Sequence, residues 1–263
     1  EAIIYDSYLH NCSGKKKSTI SEENLKNNHT KGILSKNSIK KIKKTITIWI
    51  ESLEYIRHVK KLNKSWLNNK ITFCTLTLPA NQMHEDSFIK RNLLNHFLIK
   101  LKRKSVFHSY LWVAERQENQ NLHFHILFNC FIDWQLVRHI WNEILNTHGY
   151  IEAYRKNQNE WHNKGFRLRE NMLNYWSEEN QLKAYKKGIL ENWSNPNTTD
   201  IHRIEKIDNI YFYLIKYFTK GNDKQLIQGK IWGQSDNLQK LEYLTEIFDH
   251  TLESKIKYRQ KAD

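Results

Sequence analysis

Apolar residues recur along the chain with two different periods, and each change of period marks an element. From Ser38 onward, Ile39, Ile42, Ile46, Trp49, Leu53 and Ile56 return every three or four residues, which predicts an amphipathic helix to about Leu62. The β-branched, apolar run from Ile71 reads as a strand that Pro79 stops, with Thr75 and Thr77 on one face. Asp86 or Ser87 can then cap a helix carrying Phe88, Leu94, Phe97, Leu98 and Leu101 and ending in basic Lys100 to Lys104. A strand from His108 to Arg116 follows. Polar Gln117 to Asn121 turns the chain into Leu122–Phe128, a strict alternation, so the two strands are expected to pair as a hairpin.

After Asp133, Trp134, Val137, Trp141 and Leu145 mark a helix leading to Gly149 and a short strand-like piece, Tyr150 to Tyr154. Residues 155–198 mix charge with Trp161, Trp176 and Trp193 around a helix from about Glu170 to Asn192. They read as an insertion within the domain, and their tryptophans and basic residues suit a grip on DNA beyond the active centre. Thr199 to Glu205 resumes as a strand, Lys230 to Gly233 is a short strand or turn, and a final helix starts at Asp236. Residues 1–36 are polar and rich in Lys, Asn and Ser, as in a loosely ordered arm. The expected organisation is a basic arm and helix over 1–66, a central domain over 67–235 with the insertion at about 155–198, and a C-terminal helix over 236–263. No repeat of 20–50 residues is visible.

The alternating strand has two unlike faces. Leu122, Phe124, Ile126 and Phe128 can pack against helices, while His123 and His125 lie side by side on the other face. A hairpin turn centred near Asn119 places Glu115 opposite His123, so Glu115, His123 and His125 form a candidate metal site with open positions. A register shift of about two residues would substitute Glu118.

Residues Asn209 to Lys220 read as a helix with two arcs. Ile210, Tyr211, Leu214, Ile215 and Phe218 form an apolar one, where Tyr211 packs. Tyr213, Lys216, Tyr217 and Lys220 form a second at i, i+3, i+4 and i+7. Two tyrosines one turn apart are separated by about 6 Å along the axis, so two phenols and two ammonium groups enter one space. A phenol with a pKa near 10 is a poor nucleophile at neutral pH, and neighbouring lysines favour the phenolate and can hold a phosphate. A metal on two imidazoles and a carboxylate polarises a phosphoryl oxygen. Together these groups suit attack of tyrosine on a DNA phosphodiester, giving a phosphotyrosine and a free 3′ hydroxyl.

Composition supports a polyanionic partner. Lys and Arg total 42 against 28 acidic residues, a formal net charge of +14, which points to nucleic acid before an anionic membrane surface. No apolar run approaches about 18 residues, so no transmembrane helix is expected. No secretory signal opens the chain, and the three widely spaced cysteines, Cys12, Cys74 and Cys130, read as reduced thiols of a cytosolic protein. The chain opens on Glu1 rather than Met, as a trimmed or partial N-terminus would.

Three motifs, in order, resemble those of the HUH endonucleases, in particular the two-tyrosine replication initiators. The first is Phe73-Cys74-Thr75-Leu76-Thr77-Leu78, the second His123-Phe124-His125 followed by Ile126-Leu127-Phe128. The third is Tyr213-Leu214-Ile215-Lys216-Tyr217-Phe218-Thr219-Lys220. The resemblance spans roughly residues 70 to 221. It implies an α+β, ferredoxin-like HUH domain with a central antiparallel sheet, helices behind it, and helical N- and C-terminal extensions. It further implies nicking of single-stranded DNA at a replication origin through a 5′-phosphotyrosine, with Mg²⁺ or Mn²⁺ as cofactor. Glu115, His123 and His125 would bind the metal, Tyr213 and Tyr217 would be the nucleophiles, and Lys216 and Lys220 would assist. The looser likeness is to initiators of small single-stranded DNA phages and plasmids in the cytoplasm of bacteria. Two imidazoles are soft ligands for Mg²⁺, so ligand chemistry alone prefers Mn²⁺ or a later transition metal.

The leading reading is therefore a rolling-circle replication initiator. A single-strand transposase or mobilisation relaxase would use the same chemistry, and a zinc hydrolase the same ligands without the tyrosines. A non-catalytic single-strand nucleic-acid-binding protein would explain the charge and aromatics but not the tyrosine-lysine face. No G-x-x-x-x-G-K-[ST] loop is present, so unwinding calls for a separate helicase.

Overall fold

The computed structural model describes residues 34–61, 71–105, 107–203 and 226–240, with Gly32. The expected N-terminal arm, the Asn209 to Lys220 helix and the C-terminal helix beyond residue 240 lie outside these residues.

Five antiparallel strands form one sheet, in the order β4-β1-β3-β2-β5. They are β1 (Thr72–Leu76), β2 (Tyr110–Arg116), β3 (Leu122–Phe128), β4 (Thr199–Arg203) and β5 (Trp232–Gln234). Helix α1 (Lys36–Val59) precedes β1. Between β1 and β2 a continuous helical stretch, α2, comprises Asp86–Phe88, a π-helical Ile89–Leu94 and Asn95–Lys104. Between β3 and β4 lie α3 (Trp134–Thr147), α4 (Tyr150–Trp161), a 3₁₀ turn at Glu170–Met172 and α5 (Glu178–Leu190). The strand-helix-strand-strand-helix-strand order with β1 beside β3 is the split βαβ arrangement of ferredoxin-like α+β folds. Among the described residues, no helix is long and apolar enough to cross a membrane.

The alternation in β3 decides what each face holds. Leu122, Phe124, Ile126 and Phe128 enter a core with Cys74, Leu76 and Trp112, covered by Leu93, Phe97 and Leu101 of α2 and by Val137, Trp141 and Leu145 of α3. Burial raises the Cys74 thiol well above its usual range, so it stays protonated, in keeping with an inert core cysteine. The opposite face is half covered. Ile42, Ile46, Trp49 and Leu53 of α1 pack on Phe73, Leu111, Val113 and Leu127, leaving the histidine end of the sheet beyond them. Burying each such side chain contributes about 1.5–3 kcal/mol. Ser35 starts α1 by accepting a hydrogen bond from the Ser38 backbone N–H at 3.0 Å.

Three expectations need correction. Tyr150 to Tyr154 is helical, the first part of α4, because Gly149 (φ 80°) makes a left-handed turn between two helices instead of ending the helical region. Tyr150, Ile151 and Tyr154 fit one helical face as well as a strand, and five residues are too few to separate the periods. The helix expected from Glu170 is divided: a 3₁₀ turn ends at Met172, and α5 begins only at Glu178, capped by Ser177, whose Oγ accepts from the Asn180 N–H at 3.4 Å. Asp86 does not cap α2. It is the first helical residue, only 2% exposed, and its carboxylate is turned into the protein toward Arg116.

Candidate active site

The β2–β3 pairing sets the site. Glu115 lies opposite His123 and Val113 opposite His125, the register that the turn length predicts. Glu118 is exposed in the turn, away from the histidines. On the other flank of β3, Thr75 of β1 lies opposite His125. Cross-strand partners share a face, so Glu115, His123, His125 and Thr75 project from the same side of the sheet.

His125 is the fixed point. It is 4% exposed, and its ring stacks on Phe73 with centroids 5.4 Å apart and planes 17° from parallel. Both ring nitrogens are engaged. Nε2 lies 3.1 Å from Glu115 Oε2, and Nδ1 lies 3.3 Å from Thr75 Oγ1. A neutral ring here donates from Nε2 to the carboxylate and accepts at Nδ1 from the hydroxyl. The His123 ring meets that of His125 edge-on at 4.5 Å. It is less buried than its neighbour, at the open end of the sheet.

The predicted ligands are thus brought to one place but not gathered around one point. Glu115 touches His125, while His123 approaches through its ring. Among the described residues, no group of three or more His, Cys, Asp or Glu side chains is arranged to hold a metal ion. The donor set nevertheless has the chemistry a divalent metal requires, two imidazoles and a carboxylate on adjacent strands. Thr75 supplies the supporting partner that ligand histidines need, since its hydroxyl can accept from Nδ1–H once Nε2 gives up its proton. Tyr213, Lys216, Tyr217 and Lys220 lie outside the described residues.

The hairpin end that carries Glu115 and His123 is pinned by a buried network that the sequence reading missed. Arg116 Nη2 donates to Asp86 Oδ2 at 2.6 Å, and both side chains are more than nine-tenths buried. Arg116 Nη1 also donates to the Gln120 carbonyl at 2.9 Å, closing the turn. Gln82 joins in: its Nε2 donates to Asp86 Oδ1 at 2.7 Å, and its Oε1 accepts from the Leu122 N–H at 2.9 Å. A charged pair out of water persists only with such complete hydrogen bonding. The available signal was an arginine at a strand end, one residue from a candidate ligand.

Asp200 and His202 of β4 were also missed. Asp200 pairs with Thr75 and His202 with Phe73, so both share the histidine face. They bond to each other, His202 Nε2 to Asp200 Oδ2 at 2.7 Å, and both are more than half exposed.

Residues 71–222, more than half of the 263-residue chain, match the family of replication-associated proteins of the ORF2 type. None of the curated proteins and none of the solved structures compared with the chain matches it.

Proposed function

The chain belongs to the ORF2-type family of replication-associated proteins, and on that footing we propose that it initiates rolling-circle replication by nicking and rejoining single-stranded DNA at an origin. The observation that carries this reading is the buried His125, held by Glu115 and Thr75 beside His123, in the same matched region as the Tyr213–Lys220 motif.

In the proposed reaction the hydroxyl oxygen of Tyr213 or Tyr217 attacks a backbone phosphorus. The phenol gives up its proton, the tyrosine–phosphorus bond forms, and the bond to the 3′ oxygen breaks. The departing 3′ oxygen takes up a proton, leaving a free 3′ hydroxyl and a 5′-phosphotyrosine. Lys216 and Lys220 hold the phosphate and favour the phenolate. Glu115, His123 and His125 would hold Mg²⁺ or Mn²⁺, which when bound supplies Lewis-acid stabilisation of the charge developing on the phosphoryl oxygens. The chain's own contribution at that point is to fix the His125 ring from both sides and to shield one flank with Phe73. With a second tyrosine, one DNA end can stay attached while another is cut, so that a displaced circle can be closed. Unwinding would fall to a separate helicase.

The test is cleavage of labelled single-stranded DNA from the protein's own replicon, with and without Mn²⁺. The wild type is expected to cut it at a defined site. His125→Ala should lose cutting while the fold, followed by circular dichroism, is retained. Cutting that survives both His125→Ala and chelation would overturn the reading.

A further inference from the structure

The region between α4 and β4 encloses a cavity of about 420 Å³ whose walls are aromatic and whose charged groups are mainly cationic. One wall is Thr77, Leu78 and Pro79, the continuation of β1. Thr75, which touches His125, is two residues back, or roughly 7 Å at about 3.3 Å per strand residue. The cavity and the histidine face therefore lie within reach of one extended DNA strand.

The interior is built, not incidental. His162 lies flat against Trp193, centroids 5.5 Å apart and planes 3° from parallel, and Phe166 continues the same orientation at 6.4 Å and 12°. Tyr185 closes on His162 at 4.7 Å. Trp193 is only 7% exposed, and its indole Nε1 is enclosed without a hydrogen-bond acceptor among the described residues. An enclosed indole N–H without an acceptor is uncommon and calls for a partner. Asn192 and Trp193 both adopt left-handed backbone conformations, φ 49° and 52°, which non-glycine residues rarely do. Gly188 makes room for the ring, since a Cβ there would come within 2.0 Å of it.

The rim is equally organised. Gln181, 4% exposed, ties down the preceding loop: its Nε2 donates to the carbonyls of Arg169 (3.2 Å) and Trp176 (3.0 Å), and its Oε1 accepts from the Arg169 N–H (2.9 Å). Arg167 and Arg169 are braced over the Trp161 ring, 3.9 and 5.2 Å from its centre. With Arg138 and Lys187, four cations face the cavity against one carboxylate, Glu191.

We propose that this cavity is a base pocket that takes one unstacked nucleobase of single-stranded DNA, with the cationic rim on the flanking phosphates. A stacking floor between arginines is what sequence-tolerant single-strand binding uses, and the volume falls in the range of small-ligand sites, about 300–1,000 Å³. That the same strand continues onto the histidine face rests on the nicking reading above; occupancy of the pocket does not.

The experiment uses the full chain in EDTA, so that no cutting intervenes, with random-sequence single-stranded DNA carrying 5-iodouracil. Photocrosslinked residues are located by mass spectrometry, and affinity is read by anisotropy at fixed salt. Crosslinks are expected on Phe166, Trp176, Tyr185 or Trp193. Phe166→Leu with Tyr185→Leu should weaken single-strand binding about tenfold, since stacking contributes about 1–3 kcal/mol per base, and should leave duplex binding unchanged. Because the wild-type crosslink map needs no variant, it stands even if the double variant folds poorly. Crosslinks confined to other surfaces would overturn the proposal, as would tighter binding of single-stranded RNA at these rings. Pocket crosslinks without cutting in the nicking assay would retain the pocket and sink only the nuclease reading.

Discussion

Glu115 stands directly across from His123, yet its carboxylate bonds to His125, one pleat further along the same face, at 3.1 Å. The diagonal choice matters because His125 is then held from two strands at once, with Thr75 on its other nitrogen. His123 is left as the more exposed imidazole of the pair, toward the open end of the sheet.

Thr75→Val should separate support of the site from support of the fold. Valine keeps the shape and removes the hydroxyl that engages Nδ1. Loss of such a supporting contact typically weakens metal binding about 10–100-fold. Mn²⁺ titration by calorimetry is expected to show that loss, and Thr75→Ser to recover most of it. A fall in melting temperature with unchanged Mn²⁺ affinity would mean that Thr75 only packs.

Asp86→Ala should destabilise the chain by about 3–5 kcal/mol, because it leaves the buried Arg116 charge without its carboxylate. Urea unfolding measures this. Replacing both partners with apolar residues of similar size, Asp86→Leu with Arg116→Met, should cost clearly less than the two single changes added together.

Stability should fall in mild acid. Burial holds the His148 imidazole below its ordinary value, with the charges of His84 and His96 adding to the effect. Burial does the same at His162, with Arg169 adding to it and the Gly165 carbonyl opposing. In both, the unfolded chain binds the proton more tightly than the folded one, so stability rises with pH through this window. The contribution is complete above the unfolded value, about 6.5, and is lost as pH falls through the lower folded values. Urea midpoints between pH 7 and 5 should drop for the wild type and flatten for His148→Phe with His162→Phe. An equally steep drop in that variant would place the acid sensitivity elsewhere.

Gly188→Ala should be worse than a helix-propensity gain suggests. Alanine favours a helix, but its Cβ would meet the Trp193 ring at 2.0 Å, and the ring is backed by His162 and Tyr154. Overpacking of this kind costs about 1–3 kcal/mol. Denaturant unfolding followed by tryptophan fluorescence should show both the lower stability and a changed Trp193 environment.

The site's sheet was legible because its signals are local. Alternation separates His123 and His125 from Phe124 and Ile126, and a turn of known length sets Glu115 against His123. What escaped depends on distant contacts. Asp86 carries the same local signal as a cap, and only Arg116, 30 residues on, draws it inward. Asp200 and His202 join the histidine face through a pairing of β4 with β1 that no short window contains. The apolar residues of α1 predicted the helix but not its seat on the sheet face beside the site, which follows from Phe73, Leu111 and Leu127 sharing that face with the histidines.

The central claim is that a tyrosine of the Tyr213–Lys220 motif becomes covalently joined to DNA. The most direct measurement incubates wild type, Tyr213→Phe, Tyr217→Phe and the double variant with single-stranded DNA from the protein's own replicon, with and without Mn²⁺. Denatured products are then analysed by mass spectrometry. The account predicts a metal-dependent 5′-phosphotyrosyl adduct on Tyr213 or Tyr217, absent from the double variant. No adduct with that DNA, or an adduct that persists in the double variant, would contradict it.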